Sequence, residues 1–213
     1  MQKKGILIVI SGFSGVGKGT LVKKLLSQYP DEYALSISAT TRSPRENEAD
    51  GREYFFKSRP EFEEMIQKGL LLEHAEYNGN YYGTPAEYAL SQMELGRNVI
   101  LEIEVQGGLQ VKEKYPESML LYIVPPDAKE LLRRLIERGT ETMDVIQSRM
   151  RQSLRETEYI NRYDRVLVND DLEVCAKELR ETILQEQDRI NELHQYITKI
   201  RSELCDLEFL KGE

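Results

Sequence analysis

Residues 6–20 read Ile6-Leu7-Ile8-Val9-Ile10-Ser11-Gly12-Phe13-Ser14-Gly15-Val16-Gly17-Lys18-Gly19-Thr20, an apolar run that leads into the pattern Gly-x-x-x-x-Gly-Lys. This pattern is typical of a phosphate-binding loop, because its glycines let backbone N–H groups curl around a polyphosphate and its lysine adds a positive charge. Leu21, Val22, Leu25 and Leu26 follow at helical spacing, and the helix that they predict points its positive end at the same anion. The stretch therefore predicts a strand, a phosphate-binding loop and a helix.

One position departs from the common form of this loop. Gly19 stands where a serine or threonine hydroxyl usually ligates Mg²⁺, and Thr20 comes one residue later. The ending Gly-Lys-Gly-Thr is the form found in several nucleoside monophosphate kinases. Phosphate binding is therefore predicted, whereas a direct contact between the loop and the metal stays open.

Composition and charge limit the classes of function. The 213 residues are 40% hydrophobic and 31% charged, which suits one packed domain with or without inserted lobes. The net charge of −8 argues against a nucleic-acid partner, because duplex binding needs a clustered basic face. The apolar run after Lys3-Lys4 is too short for a signal peptide, and no run approaches a membrane span. We expect a cytoplasmic protein without a membrane partner, in which Cys175 and Cys205 are free thiols.

Strand and helix patterns alternate along most of the chain. Further strands are predicted at 34–38, 99–105, 119–124 and 165–168, with helices between them. This alternation predicts an α/β fold, a three-layer core whose parallel sheet binds ligands at the carboxyl ends of its strands. Neither glycine nor proline occurs between Gly139 and Gly212, so the C-terminal third is predicted to be mostly helical.

Residues 40–84 interrupt the alternation and are interpreted as an inserted lobe of mixed β structure. Its signals are strands at 54–56, 71–73 and 81–82, turns at Asp50-Gly51 and Asn78-Gly79, and a helix at 61–68. Arg42 and Arg45 follow a strand three residues apart, and arginine is suited to bidentate phosphate contacts. The predicted domains are a core of residues 1–39 and 85–184, the lobe 40–84, and a helical extension, 185–213.

The set of motifs resembles the guanylate kinase family over about residues 5–185. The resemblance rests on Gly12–Thr20, Thr40–Arg45, Gly79–Thr84, Arg138-Gly139-Thr140 and Val168–Asp171, in that order. It implies a P-loop kinase core, a GMP-binding lobe and a mobile helical lid at about 138–157. The implied reaction transfers the γ-phosphoryl group of ATP to GMP, and by extension dGMP, with Mg²⁺ as cofactor, giving ADP and GDP.

The resemblance also implies roles for single residues. The implied ATP site comprises Gly12, Ser14, Gly15, Val16, Gly17, Lys18, Gly19, Thr20, Arg134 and Asn169. The implied GMP site comprises Ser38, Arg42, Arg45, Glu48, Tyr54, Glu73, Tyr82, Gly83, Thr84 and Glu102. The implied catalytic residues are Lys18, Arg42, Arg138 and Arg149, and the implied metal contacts, through water, are Glu102 and Glu104. Whether the longer Glu104 reaches the metal directly or keeps the water stays open.

The chemistry of guanine agrees with this assignment. Guanine presents two adjacent donors, N1–H and the exocyclic amine, which the carboxylate of Glu73 can accept together, and its O6 accepts from the hydroxyl of Ser38 or Thr84. Adenine would leave a buried Glu73 unpaired, which gives strong rejection of the wrong base. The acceptor is already an ionised phosphate, so the reaction requires no catalytic base and His74 is predicted to be a bystander.

Two other classes of function compete with this hypothesis. A non-catalytic scaffold domain of guanylate-kinase type would carry a degraded phosphate loop, whereas Gly12, Gly17 and Lys18 are intact. A kinase for another small phosphorylated acceptor, such as a ribose phosphate, would not need Glu73 and the aromatic pair Tyr81-Tyr82.

The segment 185–213 extends past the resemblance and carries a heptad repeat. Its apolar stripe comprises Ile183, Ile190, Ile197 and Leu204, with Leu193, Ile200 and Leu207 between them. Two interpretations stay open: the stripe folds back on its own core, or it joins two copies as a homodimer. A parallel pair would set Glu203 against Glu208 of the partner, whereas an antiparallel pair can set Arg189 against Glu203, so the antiparallel pair is favoured.

Overall fold

The computed structural model describes residues 3–77, 79–139 and 141–206. Its larger sheet has five strands, all parallel, in the spatial order β2 (Tyr33–Leu35), β7 (Asn98–Glu102), β1 (Leu7–Gly12), β8 (Met119–Val124) and β9 (Arg165–Val168). Every residue of the central strand β1 is buried, as expected for a strand covered on both faces. The predicted α/β class with a parallel sheet is confirmed.

Helices connect the strands of the two sheets, and a last helix follows β9. They are α1 (Lys18–Gln28), α2 (Arg59–Gln67), α3 (Ala86–Glu94), α4 (Val105–Lys114), α5 (Ala128–Glu137), α6 (Met143–Glu156) and α7 (Leu172–Asp206), with a 3₁₀ turn at Thr157–Arg162. One hydrophobic core joins the sheet to its helices, from Ile6 at the start of β1 to Ile190 in α7. Among the described residues, no helix is both long enough and apolar enough to cross a membrane.

A second sheet spans residues 39–85, one residue beyond the predicted lobe at each end. Its order is β4 (Phe55–Phe56), β3 (Ala39–Thr40), β6 (Asn80–Pro85) and β5 (Leu71–Tyr77). The pair β3–β4 is parallel and the other two pairs are antiparallel, so the predicted mixed sheet is confirmed. A small core of Ala39, Phe62 and Leu71 supports it. Asn78, in the predicted turn between β5 and β6, lies outside the described residues.

Two strands of the large sheet end earlier than the sequence predicts. The strand predicted at 34–38 ends at Leu35, and the carbonyl of Ser38 accepts a hydrogen bond of 2.9 Å from the N–H of Phe55 in the second sheet. The strand predicted at 99–105 ends at Glu102, because Glu104 caps α4 and Val105 is its first residue. The apolar residues beyond each strand therefore belong to the connections that lead out of the sheet.

The helix α7 runs without interruption for 35 residues across the predicted boundary at 185. Its first half packs on the core through buried residues that include Leu179, Ile183 and Ile190. Beyond them Leu193, Ile197 and Leu204 are about half exposed, at 45%, 51% and 48%. The stripe is thus divided: its first part folds back on the core, and its second part is exposed. Leu207 and Glu208 lie outside the described residues.

The pairing of Arg189 with Glu203 of a partner, which favours an antiparallel dimer, stays a prediction. Arg189 already forms an ion pair of 2.5 Å with Glu186, and Ile190 beside it is buried in its own core.

Candidate active site

The phosphate-binding loop lies at the carboxyl end of β1, between the strand and α1. Gly15 and Gly17 have φ angles of 88° and 94°, which glycine adopts without strain. A Cβ atom at Gly17 would lie 2.7 Å from the side-chain nitrogen of Asn169, and one at Gly15 would lie 2.6 Å from Leu135. The first turn of α1 contains no acidic residue, so its positive end is free to face an anion.

Lys18 lies at the mouth of this loop. Its Nζ donates hydrogen bonds to the carbonyls of Gly12 at 2.6 Å and Phe13 at 3.2 Å. Burial lowers the pKa of Lys18, whereas the carboxylates of Glu104, Glu102 and Glu156 act in the opposite direction. The lysine charge is thus held in a partly dry site that also contains acidic groups.

The loop is supported from behind by two residues assigned to ATP. Asn169 is buried, and its side-chain amide donates to the carbonyl of Val16 at 2.8 Å. Arg134 donates to the carbonyl of Asn169 at 2.8 Å and to that of Val16 at 3.3 Å. An ion pair of 2.7 Å with Glu130 orients this arginine. Both residues therefore hold the loop to the segment that follows β9.

The two arginines assigned to the lid occupy different environments. Arg149, on α6, donates to the hydroxyl of Ser14 in the loop and pairs with Glu141. Arg138 caps the end of α5 and is exposed. Its side chain forms no hydrogen bond or ion pair with the residues that the structure describes. Thr140, which completes the motif Arg138-Gly139-Thr140, lies outside the described residues.

In the lobe, the structure brings Arg42, Glu48, Tyr54 and Tyr82 together. The guanidinium of Arg42 contacts both carboxylate oxygens of Glu48 at 3.0 Å and lies 5.4 Å from the centre of the Tyr54 ring. The rings of Tyr54 and Tyr82 are 6.1 Å apart. Hydrogen bonds from Arg42 and from the backbone N–H of Arg45 lower the pKa of Glu48. Glu48 thus holds the guanidinium of Arg42 and the backbone of Arg45 together. The side chain of Arg45 is exposed.

A buried carboxylate lies at the junction of the two sheets. Glu73, on β5, is only 6% exposed, and its Oε1 accepts a hydrogen bond of 2.8 Å from the hydroxyl of Thr84. Its Oε2 lies against α4, 2.9 Å from where a Cβ atom of Gly107 would be. Burial raises the pKa of Glu73, and the hydrogen bond from Thr84 opposes this rise. The side chain therefore presents an acceptor in an enclosed place where charge is disfavoured.

Gly83 and Ser38 contribute backbone to the same region. A Cβ atom at Gly83 would lie 2.7 Å from the carbonyl oxygen of Glu73, so only glycine lets β6 approach β5 here. Ser38 precedes β3 and is partly buried. Both residues therefore lie on strands or connections of the sheet that carries Glu73 and Thr84.

A carboxylate faces Gly19, the position at which this kind of loop usually carries a serine or threonine hydroxyl. Both carboxylate oxygens of Glu102 lie 3.6 Å from the position that a Cβ atom of Gly19 would occupy. Burial raises the pKa of Glu102, and the charge of Lys18 opposes the rise. Glu104, two residues on, is exposed at the start of α4. The carboxylates of Glu102 and Glu104 thus follow β7 at the loop that lacks the usual metal-binding hydroxyl.

Sequence reasoning missed two acidic residues of this region. Glu156, at the end of α6, is 8% exposed, accepts a hydrogen bond of 3.2 Å from Tyr122, and contributes to the field at Lys18. Glu141 pairs with Arg149. Both lie in highly charged sequence, where a solvated helical face is the ordinary expectation, so no pattern in the sequence marks them.

A phosphate-binding loop after the central strand of a parallel sheet, with basic side chains from a neighbouring helix beside it, defines the class of P-loop nucleotide-binding folds. A family model described as guanylate kinase matches residues 4–186, and the chain belongs to the guanylate kinase family.

Individual relatives agree with this membership. The guanylate kinase of Desulfitobacterium hafniense (strain Y51) is 49% identical over 190 residues, which cover 89% of this chain and 94% of that protein. The guanylate kinase of Bacillus subtilis (strain 168) is 48% identical over 186 residues, which cover 87% and 91%. The crystal structure of guanylate kinase from Anaplasma phagocytophilum has a TM-score of 0.67 at 30% identity and covers 87% of this chain and 88% of that one.

Proposed function

We propose that this chain is an ATP:GMP phosphotransferase, which transfers the γ-phosphoryl group of ATP to GMP, and by extension to dGMP, giving ADP and GDP. One observation carries the choice of acceptor: the buried Glu73, held by Thr84, is an acceptor group suited to the two adjacent donors of guanine. An intact phosphate loop disfavours a non-catalytic scaffold, and this buried acceptor disfavours a kinase for a sugar phosphate.

The chain's own residues position two polyanions and stabilise charge on the group that moves between them. Lys18 and the loop N–H groups bind the phosphates of ATP, and Arg149, beside Ser14, reaches the transferred group. Arg138 joins them when the lid closes and excludes water that would otherwise accept the phosphoryl group. Because the attacking oxygen of GMP is already ionised, no residue is required to remove a proton.

The lobe holds the phosphate of GMP. Arg42 and Arg45 bind its oxygens, assisted by the hydroxyls of Tyr54 and Tyr82. The contact of Arg42 with both oxygens of Glu48 fixes the plane of the guanidinium while leaving other N–H donors for the phosphate. In this proposal Glu48 acts through Arg42, as a positioning residue.

The proposed enzyme uses Mg²⁺ as its cofactor, and the ion binds together with ATP. The residues fit such an ion, because Mg²⁺ keeps several waters and takes one or two carboxylates together with substrate phosphates, and Glu102 faces the place left by Gly19. Glu102 and Glu104 would hold it through water. When bound, the ion neutralises charge that develops on the phosphoryl oxygens.

Glu102→Gln is expected to raise the Mg²⁺ concentration for half-maximal activity at least about fivefold, because a neutral amide holds metal-bound water less strongly than a carboxylate. Titration of activity against free Mg²⁺ measures this, and calorimetry of Mg²⁺-dependent ATP binding gives a second readout. Glu113→Gln, on the exposed face of α4, is the matched control. If the folded variant requires the same Mg²⁺ concentration as wild type, then Glu102 does not help to hold the metal.

A coupled assay of ADP release tests the function itself. The enzyme should release ADP rapidly with GMP or dGMP, and only at background rates with AMP, ribose 5-phosphate or no acceptor. Turnover with ribose 5-phosphate alone would select the sugar-phosphate kinase, and no turnover with any acceptor would select the scaffold.

We also propose a cytoplasmic homodimer. The thiols support the compartment, because Cys175 and Cys205 are both free. The exposed second half of α7 supports the dimer, because Leu193, Ile197 and Leu204 lie on one stripe of a charged helix.

A further inference from the structure

The carboxylate of Glu73 lies in an irregular part of an edge strand. β5 is the last strand of the second sheet, and among the described strands only β6 pairs with it. The register of this pair shifts between Leu71 and His74, and Glu73 lies inside that shift. The hydrogen bonds between the two strands therefore fix Glu73 less firmly than they would fix a residue in a regular central strand.

On the outer edge of β5, one side chain takes the place of a neighbouring strand. The side-chain oxygen of Gln110, on α4, accepts a hydrogen bond of 3.2 Å from the backbone N–H of His74. Its NH₂ group donates a second hydrogen bond, of 3.1 Å, to the backbone carbonyl of His74. A paired antiparallel strand offers the same acceptor and donor to a single residue. Gln110 thus fixes the backbone directly after Glu73.

Two further residues of α4 contact the same strand. Nζ of Lys114 donates a hydrogen bond of 3.2 Å to the carbonyl of Leu71. Gly107 leaves room for Oε2 of Glu73, which lies 2.9 Å from where a Cβ atom of this glycine would be. The three helical residues are three and four positions apart, so they share one face of α4. We call Gly107, Gln110 and Lys114 the α4 clamp.

The helix that carries the α4 clamp is itself fixed to the core. A Cβ atom at Gly108 would lie 3.1 Å from the side chain of Val9 in β1, the strand that leads into the phosphate-binding loop. The buried residues of α4 are Val105, Gly107, Gly108 and Val111. The position of Glu73 is therefore tied, through α4, to the strand that carries the phosphate-binding loop.

We propose that the α4 clamp positions the carboxylate of Glu73 for guanine, and that Gln110 is a positioning residue for the choice of base. This inference rests on the proposed function, which makes Glu73 the acceptor of the N1–H and the exocyclic amine of guanine. It adds the residues that hold this acceptor where both donors can reach it. Gln110 and Lys114 act on the base only through β5 and Glu73.

Lys114 contributes charge as well as a contact. Burial raises the pKa of Glu73, and the charge of Lys114 opposes this rise. A nearby ammonium group favours the ionised form of a carboxyl group, and only the ionised form offers both of its oxygens as acceptors. The same lysine therefore holds the backbone before Glu73 and favours the protonation state that two donors require.

Two adjacent donors require a more exact placement of the carboxylate than one donor does. A displaced carboxylate can still accept from N1–H, whereas the parallel pair of hydrogen bonds is lost. Inosine monophosphate (IMP) keeps the N1–H and O6 of guanine and lacks the exocyclic amine. The ratio of kcat/KM for GMP to kcat/KM for IMP therefore reports the position of Glu73. A general loss of stability lowers both values and leaves their ratio unchanged.

The variant Q110M tests the inference, because methionine keeps the length of the side chain and removes both hydrogen bonds to His74. In the folded variant the ratio of kcat/KM for GMP to that for IMP should fall at least about threefold, with KM for ATP unchanged. Q67M is the matched control, the same change at an exposed glutamine that ends α2, and should keep the wild-type ratio. A folded Q110M protein with the wild-type ratio would overturn the proposal.

The double variant E73Q/Q110M tests whether Gln110 acts through Glu73. In the E73Q background, Q110M should change the ratio less than about 1.5-fold, because the group that it positions has already been altered. An equal fall in both backgrounds would show another route to the base and overturn the proposal. K114M keeps the test decisive if Q110M does not fold: it should lower the ratio at least about twofold, and an unchanged ratio would contradict the α4 clamp.

Amide hydrogen exchange tests the α4 clamp without any substrate. The N–H of His74 in the free protein should exchange at least about tenfold faster in Q110M than in wild type, whereas Q67M should match wild type. Unchanged exchange at His74 would overturn the proposal. Because this measurement requires no acceptor, the two failures are distinguishable: a wild-type protein that does not phosphorylate GMP contradicts the proposed function, whatever the exchange at His74.

Discussion

Replacing Lys18 by alanine is expected to lower kcat/KM for GMP about a thousandfold, a loss of roughly 4 kcal/mol of transition-state stabilisation. The hydrogen bonds from Nζ to the carbonyls of Gly12 and Phe13 hold the ammonium at the mouth of the loop, where the phosphates of ATP bind in our proposal. Alanine removes this fixed cation, and water that enters in its place must reorient when charge develops on the phosphoryl group. Steady-state kinetics with ATP and GMP measure the effect.

The Lys18→Ala protein should remain folded. Burial lowers the pKa of Lys18, so at neutral pH folding disfavours its charged form, and removing that charge relieves an unfavourable contribution to the free energy of folding. Lys177→Ala is the control, since this lysine is exposed on α7. A folded Lys18→Ala protein with wild-type activity would contradict the kinase proposal.

Hydrophobic periodicity predicts those elements whose pattern fits only one kind of secondary structure. The run that ends at Gly12 has to be a buried strand, and the helical spacing after Lys18 has to be the helix that follows it. Where a pattern fits both a continued strand and the start of a helix, the sequence does not predict which of the two forms. Ile103 and Val105 continue the strand pattern, yet the chain turns at Glu104 because α4 must begin there to cross over the sheet.

The long helix shows the same limit. One heptad repeat runs through Ile183, Ile190 and Ile197, and periodicity cannot tell which of these residues faces the helix's own core. That depends on where the body of the protein ends. In the structure it ends near His194, so the first part of the stripe folds back on the core and the second part is exposed.

The residues of the candidate site also divide into those that the sequence predicts and those that it does not. Glycines and the loop lysine are set by local geometry and can be read from a short stretch, whereas Glu156 comes to the loop through the packing of α6. The ion pair of Arg42 with Glu48 links residues only six apart, yet sequence gives no reason to prefer it to two separate contacts with a ligand. Sequence reasoning therefore misses Glu156 and Glu141, whose contacts no local pattern shows.

Replacing Glu73 by glutamine is expected to lower kcat/KM for GMP at least about tenfold, equivalent to ~1.4 kcal/mol or more. The hydroxyl of Thr84 already donates to Oε1 of this side chain. Glutamine can keep an oxygen there only by placing its NH₂ group where Oε2 was, and that group would face the donors of guanine. Affinity for ATP in the absence of GMP should be unchanged. Steady-state kinetics and ATP titration measure the two quantities.

Thermal unfolding separates this effect from a loss of structure. Burial raises the pKa of Glu73, so at neutral pH the carboxylate opposes folding, and this unfavourable contribution vanishes as the pH falls through the raised pKa. Glu73→Gln should therefore unfold at a temperature no lower than wild type at pH 7, and the difference should shrink in acid. Glu76→Gln, at the exposed end of the same strand, should leave GMP kinetics unchanged. If Glu73→Gln behaves like Glu76→Gln, then the carboxylate at the junction of the two sheets does not recognise guanine, and the choice of acceptor has to come from the aromatic and basic residues of the lobe.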